Sequence, residues 1–430
     1  MLFIPNIIFG VLLIFGIGFF VKNIKKIKRN IKLGIEVPVQ ENSKKRWANV
    51  ARIALGQSKM VRRPISGFLH FIVYIGFIVI NIEVLEIVID GLFGTHRIFA
   101  SIGSVYGILI GTFEILALMV FVAVMVFWLR RNIIRLRRFM SSEMKGWPKQ
   151  DANLIIYFEL LLMGLFITMN AADVEFQAMN SGNIISGSVA PLLEGLPLHI
   201  IERTAWWLHI IGILIFLNYL YYSKHLHILL AFPNTYFESL KPLGLLKNLQ
   251  SVTNEVKLMM DPDADPFATE NNGDETLKKF GATDVFDLNR IQLLNAYTCT
   301  ECGRCTDECP ANLTGKKLSP RKIMMDTRDR LEAVGKNIDI NNGNYKPDGK
   351  QLVGDYVSSE EIWACTSCNA CVEACPVSIN PLSIILDMRR FLVMEQSAAP
   401  SELNNMMTNI ENNGAPWPYN QMDRLNWNNE

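Results

Sequence analysis

The sequence predicts an all-α protein in two halves: a five-helix transmembrane bundle over residues 1–232, followed by an α-helical domain on the cytoplasmic side that carries eight cysteines. Three observations lead there. The apolar excess is concentrated before about residue 232, in runs long enough to span a bilayer at about 1.5 Å per residue. Lys and Arg crowd alternate connections between those runs. All the cysteines fall in two runs of one spacing, with helix-forming sequence between and after them.

The first span, residues 2–21, carries no charge. A cleaved leader would place basic residues before the apolar run. Here Lys22, Lys25, Lys26, Lys28, Arg29 and Lys32 follow it, so an anchor with its N-terminus outside is expected. Four more spans follow at 64–89, 103–129, 153–172 and 204–223. The connection after span one adds Lys44, Lys45, Arg46, Arg52, Lys59, Arg62 and Arg63, and that after span three holds Arg130, Arg131, Arg135, Arg137, Arg138, Lys145 and Lys149. Segments 90–102 and 173–203 are nearly free of Lys and Arg. The positive-inside rule then places everything after residue 224 in the cytoplasm of a multi-pass protein of the cytoplasmic (inner) membrane.

Only 19% of the 430 residues are charged and the net charge is +1, with no basic, aromatic-interleaved surface, which argues against a nucleic-acid partner. The histidines are more telling. His70 lies in span two near its cytoplasmic end, His209 in span five near its outer end, and His225 and His227 just past span five. If that helix continues past Lys224, His209 and His227 stand eighteen residues apart, about five turns, and share a face, with His225 on roughly the opposite one. Imidazoles so placed suit axial ligation of stacked b-type haems, while ordinary interfacial histidines are the alternative. His96, His199 and His225 read as interfacial. Glu83, Glu86, Glu114 and Glu159 lie within spans, where carboxylates are candidates for handling quinone protons or face water at the span ends.

Residues 233–290 read as a cytoplasmic connector that leaves the membrane through Pro233 and Pro242, passes the polar stretch DPDADPFATENNGDET and enters short helices around 275–296. The cysteine domain occupies 291–398. Its first run is Cys299, Cys302, Cys305 and Cys309 before Pro310, and its second is Cys365, Cys368, Cys371 and Cys375 before Pro376. Three thiolates on a tight turn reach three corners of one cubane, and the residue before proline is pushed from helical geometry and directs its sulfur elsewhere. Zinc explains the C-x2-C pairs but not a third and fourth cysteine plus proline, repeated twice. No cysteine is left over for a disulfide, which fits a reducing compartment. Ser319 and Pro320 open a helix at its N-cap and first position, and a further helix is expected at about 382–396.

The double run resembles that of bacterial two-cluster ferredoxins, in which each fourth cysteine ligates the other cluster. The resemblance implies two [4Fe–4S] clusters, one on Cys299, Cys302, Cys305 and Cys375, the other on Cys365, Cys368, Cys371 and Cys309. With fifty-five residues between the runs and helices around them, the domain is similar to the α-helical ferredoxin type of the heterodisulfide reductase and succinate dehydrogenase families. The five spans with their histidines resemble the cytochrome b subunit of respiratory nitrate reductase. That resemblance implies a haem b on His70 and His227. A second haem would take His209 and a histidine about three turns along span two, where this chain has Ile80, Asn81 and Glu83, unless His96 or another residue substitutes. From FGATDVFDLNRIQLLNAYTCTECGRC to IWACTSCNACVEACPVSINPLSIILDMRRFLV the chain resembles membrane iron–sulfur oxidoreductases of the heterodisulfide reductase-like type.

The function these resemblances imply is a membrane-bound electron-transfer subunit that passes electrons between haem b and a quinone, menaquinone or ubiquinone, and a cytoplasmic partner. Candidate partners are electron-transfer flavoprotein and a separate cytoplasmic cysteine-rich subunit with Cys-Cys-Gly motifs. The fused relatives carry that module after the dicluster domain, whereas here every cysteine is already assigned and the sequence stops at Glu430. The 399–430 tail, with Trp417 and Trp427, is expected to dock the partner. Competing readings are a non-catalytic redox-sensing or assembly protein and a redox-driven ion pump.

Overall fold

The computed structural model describes residues 4–39, 42–261 and 279–428, and every regular element among them is helical, apart from two isolated bridge pairs. Five helices are long and apolar enough to cross a membrane: α1 (Ile4–Lys32), α2 (Pro64–Phe93), α3 (Ser104–Asn132), α4 (Trp147–Ala172) and α5 (Leu198–Tyr219), the last prolonged by a tight turn through Tyr222. Among the described residues each covers the apolar run expected of it to within one residue. Their ends follow local chemistry. Pro64 starts α2, and Gly94, left-handed at φ 71°, closes it with its amide on Asp90 O at 2.8 Å. The helix α1 runs on well past residue 21, because Lys and Arg end a hydrocarbon segment without ending a helix.

Within the bundle α4 packs along α5, α2 along α3 and α3 along α4, and α1 lies against α2 and α5. Ile110, Phe113, Ala117 and Phe166 fill the centre. Outward faces show Ile14, Phe15, Phe68 and Ile108 uncovered, as helices surrounded by lipid do.

The remaining part is built from α6 (His227–Tyr236), α7 (Gln250–Met260), α8 (Arg290–Thr298), α9 (Pro320–Ile340), α10 (Pro381–Met394) and α11 (Ser401–Asn413). Ser319 caps α9 ahead of Pro320, as its sequence predicts. Arg330, fully buried on α9, binds Asp284, Asp348, Tyr345 and the Lys350 carbonyl, and so fastens two loops to one helix. Of the polar stretch DPDADPFATENNGDET, all but Asp261 lies outside the described residues. Pro233, expected in the connector, sits inside α6.

Two sets of contacts join the parts. The end of α1 reaches beyond the bilayer: about 43 Å of helix against a hydrocarbon core of about 30 Å. There Asn30 Nδ2 donates to Tyr297 OH at 2.8 Å, Arg29 to the Gly335 carbonyl at 3.0 Å, and Lys26 pairs with Asp339 at 3.0 Å. Just beyond, Ile35 exchanges backbone hydrogen bonds with Leu288 and Arg290, at 2.9 and 3.0 Å. Gly34 permits that approach, since a Cβ there would lie 2.7 Å from Leu288 O. The second set comes from the basic loops. Arg63 binds Asp307 at 2.8 Å and Glu308 at 3.0 Å, Arg62 pairs with Glu373, and Lys59 reaches Ser378 at 3.2 Å. The residues that mark membrane sidedness in the sequence are therefore also what holds the cysteine domain to the bundle.

Candidate functional site

Each cysteine run wraps a loop of the same shape. Two residues after the first cysteine the backbone is left-handed, at Glu301 (φ 53°) and Ser367 (φ 57°), and it is so again just after the second cysteine, at Gly303 (φ 75°) and Asn369 (φ 61°). Such reversals turn backbone amides inward. Short helices, Arg304–Asp307 and Ala370–Ala374, then carry the third cysteine, and each fourth cysteine stands in extended conformation before its proline. Amides face sulfur in the second run: Ser367 N lies 3.4 Å from Cys365 Sγ and Ile379 N 3.2 Å from Cys375 Sγ.

The two loops interleave. One cavity is lined by Cys299, Cys302 and Cys305 together with Cys375 and Cys371. Cys309 of the first run acts electrostatically on Cys365 and Cys371, which Cys368 also neighbours. The thiols ring a space instead of closing on a point, and among the described residues no three His, Cys, Asp or Glu side chains form a single-ion site. Sulfurs spread in this way suit a cubane, whose cysteine ligands sit at its corners. Burial pushes the Cys299 and Cys371 thiols up to about 12 and Cys375 to about 11, so thiolates here require the positive charge of bound iron.

Arginines face the first run. Arg304, 5% exposed, donates to the Lys59 and Met60 carbonyls at 3.1 Å each and neighbours Cys302 and Cys375. Arg138 also acts on Cys302. Arg321, fully buried, lines the cavity and binds Glu143 at 2.6 Å, and a Cβ at Gly303 would meet its guanidinium at 2.5 Å. Glu301, within the first loop, pairs with Arg328 at 2.8 Å and with Lys224, the residue that follows span five. Beside the second run, Arg389 donates to the carbonyls of Cys365 and Ile362 and stacks over Trp363. Among these basic residues the sequence singles out Arg138, and that as a marker of topology.

The histidines fall differently from expectation. Span five does not continue: Ser223 is extended (φ −112°, ψ 145°), its hydroxyl accepts the His225 amide at 3.0 Å, and a new helix starts at His227. The shared face of His209 and His227 is thereby lost. The break instead brings His225 to 5.5 Å from His227, ring to ring, with His70 and Arg304 within electrostatic reach. His225, read as merely interfacial, is part of this group. Burial lowers both His225, to about 3, and His227, leaving the imidazoles neutral. His227 Nδ1 sits 3.1 Å from the Lys224 carbonyl, which as a donated hydrogen bond leaves Nε2 free to ligate, and the buried His70 Nδ1 has no partner. His209 packs against Phe166 (6.2 Å), about 15 Å up α5 from its last turn. His96 pairs with Asp173 at 3.3 Å on the opposite side of the bundle.

Comparison with known proteins agrees with the cysteine geometry. Residues 298–379, which include all eight cysteines, match the 4Fe–4S dicluster domain family. The chain is 30% identical over 99% of its length to the "Probable iron-sulfur-binding oxidoreductase FadF" of Bacillus subtilis (strain 168) and 26% identical over 87% to the "EtfAB:quinone oxidoreductase" of Syntrophomonas wolfei. It spans 61% and 52% of those two proteins. Over 36% of its length it is 32% identical to a "Probable membrane-anchored ferredoxin" of Chromohalobacter salexigens, of which that match covers 25%. No solved structure matches the chain significantly. With its dicluster domain joined to five apolar helices, the chain is homologous to iron–sulfur oxidoreductases that carry the 4Fe–4S dicluster domain, heterodisulfide reductase subunits among them.

Proposed function

We propose that the protein passes single electrons between a quinone in the bilayer and a cytoplasmic partner, by way of a haem b at the inner end of the bundle and two [4Fe–4S] clusters. The observation that carries this reading is the placement of Arg304, which acts on Cys302 and Cys375 on one side and on His70 on the other. The cysteine site and the histidine site are thus neighbours across a single side chain. Cys299, Cys302, Cys305 and Cys375 would hold the first cluster, and Cys365, Cys368, Cys371 and Cys309 the second, a crossing that the interleaved loops support. His70 and His227 would hold the haem, with the Lys224 carbonyl fixing the His227 tautomer. The haem and clusters supply the one-electron chemistry, and the chain's own residues set their spacing and surrounding charge. His209, apart from the other histidines, supports a second haem less well.

The similarity to an EtfAB:quinone oxidoreductase favours electron-transfer flavoprotein as the soluble electron source and menaquinone or ubiquinone as the membrane carrier. A separate cysteine-rich subunit with Cys-Cys-Gly motifs remains the proposed second partner. The uncovered Trp417 (49% exposed) and Trp427 (72%) are its proposed anchors. The basic loops favour the cytoplasmic side of the inner membrane for this machinery under the positive-inside rule. Redox titration of the purified membrane protein, followed by optical and EPR spectra, tests the assignment: two cubane signals and one b-haem band are expected. A preparation with both cubanes and no haem leaves the non-catalytic redox-sensing alternative.

A further inference from the structure

On the bilayer face opposite the cysteines, a cavity of about 260 Å³ opens between the start of α1, the end of α2 and the start of α5, with room for several waters. Phe9, Met169 and Trp206 line part of it, and the carboxylates of Glu83, Glu86, Asp90, Asp173 and Glu202 share the rest with polar and basic groups, among them His96, Arg97 and Arg203. Nearly all of those carboxylates are engaged. Asp173 accepts from Arg97 Nε at 2.7 Å and Asp90 from the Arg97 amide at 2.7 Å, while Glu202 pairs with Arg203. Glu86 accepts from the Phe99 amide at 2.9 Å and the Tyr106 hydroxyl at 3.0 Å. Deeper in the bundle Glu114 accepts from the Ile185 and Ser186 amides at 2.8 and 3.1 Å. The remaining Arg97 donors go to Tyr106 and Asn170. Glu83 is the exception. It lines the cavity, is 2% exposed, and its Oε2 has no hydrogen-bond partner.

A carboxyl that serves only to hold a loop is given donors, as Glu86 and Glu114 are. An ionised carboxylate left without donors in an apolar bundle is costly, and the cost is removed by a proton. A polar cavity that can hold water supplies the route by which that proton comes and goes. We propose that Glu83 is a proton-exchange group, protonated at rest, which trades its proton with the aqueous phase through this cavity and gives the membrane half a proton port on the side opposite the clusters. Only the carboxyl O–H bond is made or broken, with the proton passing to or from cavity water.

The test uses the full chain purified in detergent with its clusters. Dicyclohexylcarbodiimide adds to protonated carboxyls in apolar surroundings and leaves a stable N-acylurea that peptide mass spectrometry locates. At least tenfold more adduct on Glu83 than on Glu86 or Glu114 is expected in the wild type, and none at position 83 in Glu83→Gln. The infrared spectrum of wild type minus Glu83→Gln should show a protonated carboxyl band that shifts within seconds of transfer to D2O. Equal labelling of the three glutamates, absence of the band, or a band that fails to exchange overturns the proposal. Adduct mapping needs only the wild type, so it decides the matter even if Glu83→Gln does not fold.

Discussion

Replacing Lys224 by methionine tests how the membrane half grips the first cysteine loop. The Lys224 ammonium pairs with Glu301, lies 3.7 Å from Asp151 and donates to the Pro148 carbonyl at 2.7 Å. Both Lys224 (8% exposed) and Glu301 (2%) are buried, so solvent screens the pair little. Breaking a buried pair costs about 3–5 kcal/mol when the surviving charge has no other partner. Here Arg328 still holds Glu301 at 2.8 Å and Tyr219 still donates to Asp151 at 2.6 Å. Burial also draws the Lys224 ammonium below its usual range despite both carboxylates. A loss of about 2 kcal/mol is therefore expected, near the cost of one charged hydrogen bond. Anaerobic guanidinium titration of the visible cluster absorbance, in a double-mutant cycle with Glu301→Gln, measures it. Acid supplies a second readout. Burial alone pushes the Glu301 carboxyl up, but Lys224 and Arg328 more than reverse this, so it ionises below its ordinary range. A depressed carboxyl adds stability that is complete above its unfolded pKa and is lost as pH falls through the folded one. Lys224→Met should thus move acid-induced cluster loss to higher pH. A coupling energy below about 0.5 kcal/mol, the limit of additivity for independent sites, together with an unmoved acid profile would refute the reasoning.

Cys309→Ser should damage the cluster held by the second run and spare that of the first, and EPR signals lost from the first cluster alone would show that ligation is not crossed. His70→Ala and His227→Ala should each abolish the same b-haem band, and a pyridine haemochrome assay that finds no haem in the wild type removes that reading. Arg304→Met deletes a buried cation beside Cys302 and Cys375 and should lower the reduction potential of the first cluster by at least about 60 mV, a tenfold shift in its one-electron equilibrium. Arg304→Lys should recover most of that shift, and a potential unchanged in Arg304→Met would remove the assigned role. Arg330→Met strands Asp284 and Asp348 and should cost about 3–5 kcal/mol in the same guanidinium titration.

The spans were legible because hydrocarbon thickness sets a length that any 20-residue apolar run reveals. The dicluster domain was legible because the cysteine spacing encodes a loop shape. The break at Ser223 was not. Ser223 and Lys224 are compatible with a helix, and what ends it there is tertiary: Asp151, from a different helix, accepts the Lys224 amide at 3.1 Å. The grouping of His225 with His70 depends on that break, so no periodicity could show it. The intramembrane carboxylates looked alike in sequence. Only the placement of amides from the 97–99 and 185–186 segments separates Glu86 and Glu114 from Glu83. Arg304 and Arg321 were hidden for a related reason, since a charged residue near the cysteine runs says nothing in sequence about what it faces.

The first helix acts as a strut. Near one end Asn6 donates to the Gly91 carbonyl at 2.8 Å beside the far cavity, and near the other Asn30 and Arg29 hold Tyr297 and Gly335 of the cysteine domain. Over about 43 Å of continuous helix, a tilt of about 5° at one end sweeps the other through about 4 Å, roughly one Cα step. Hydrogen bonds of 2.8–3.0 Å do not survive such a sweep. Bundle and cysteine domain must therefore rock as one lever, or the strut must flex along its length.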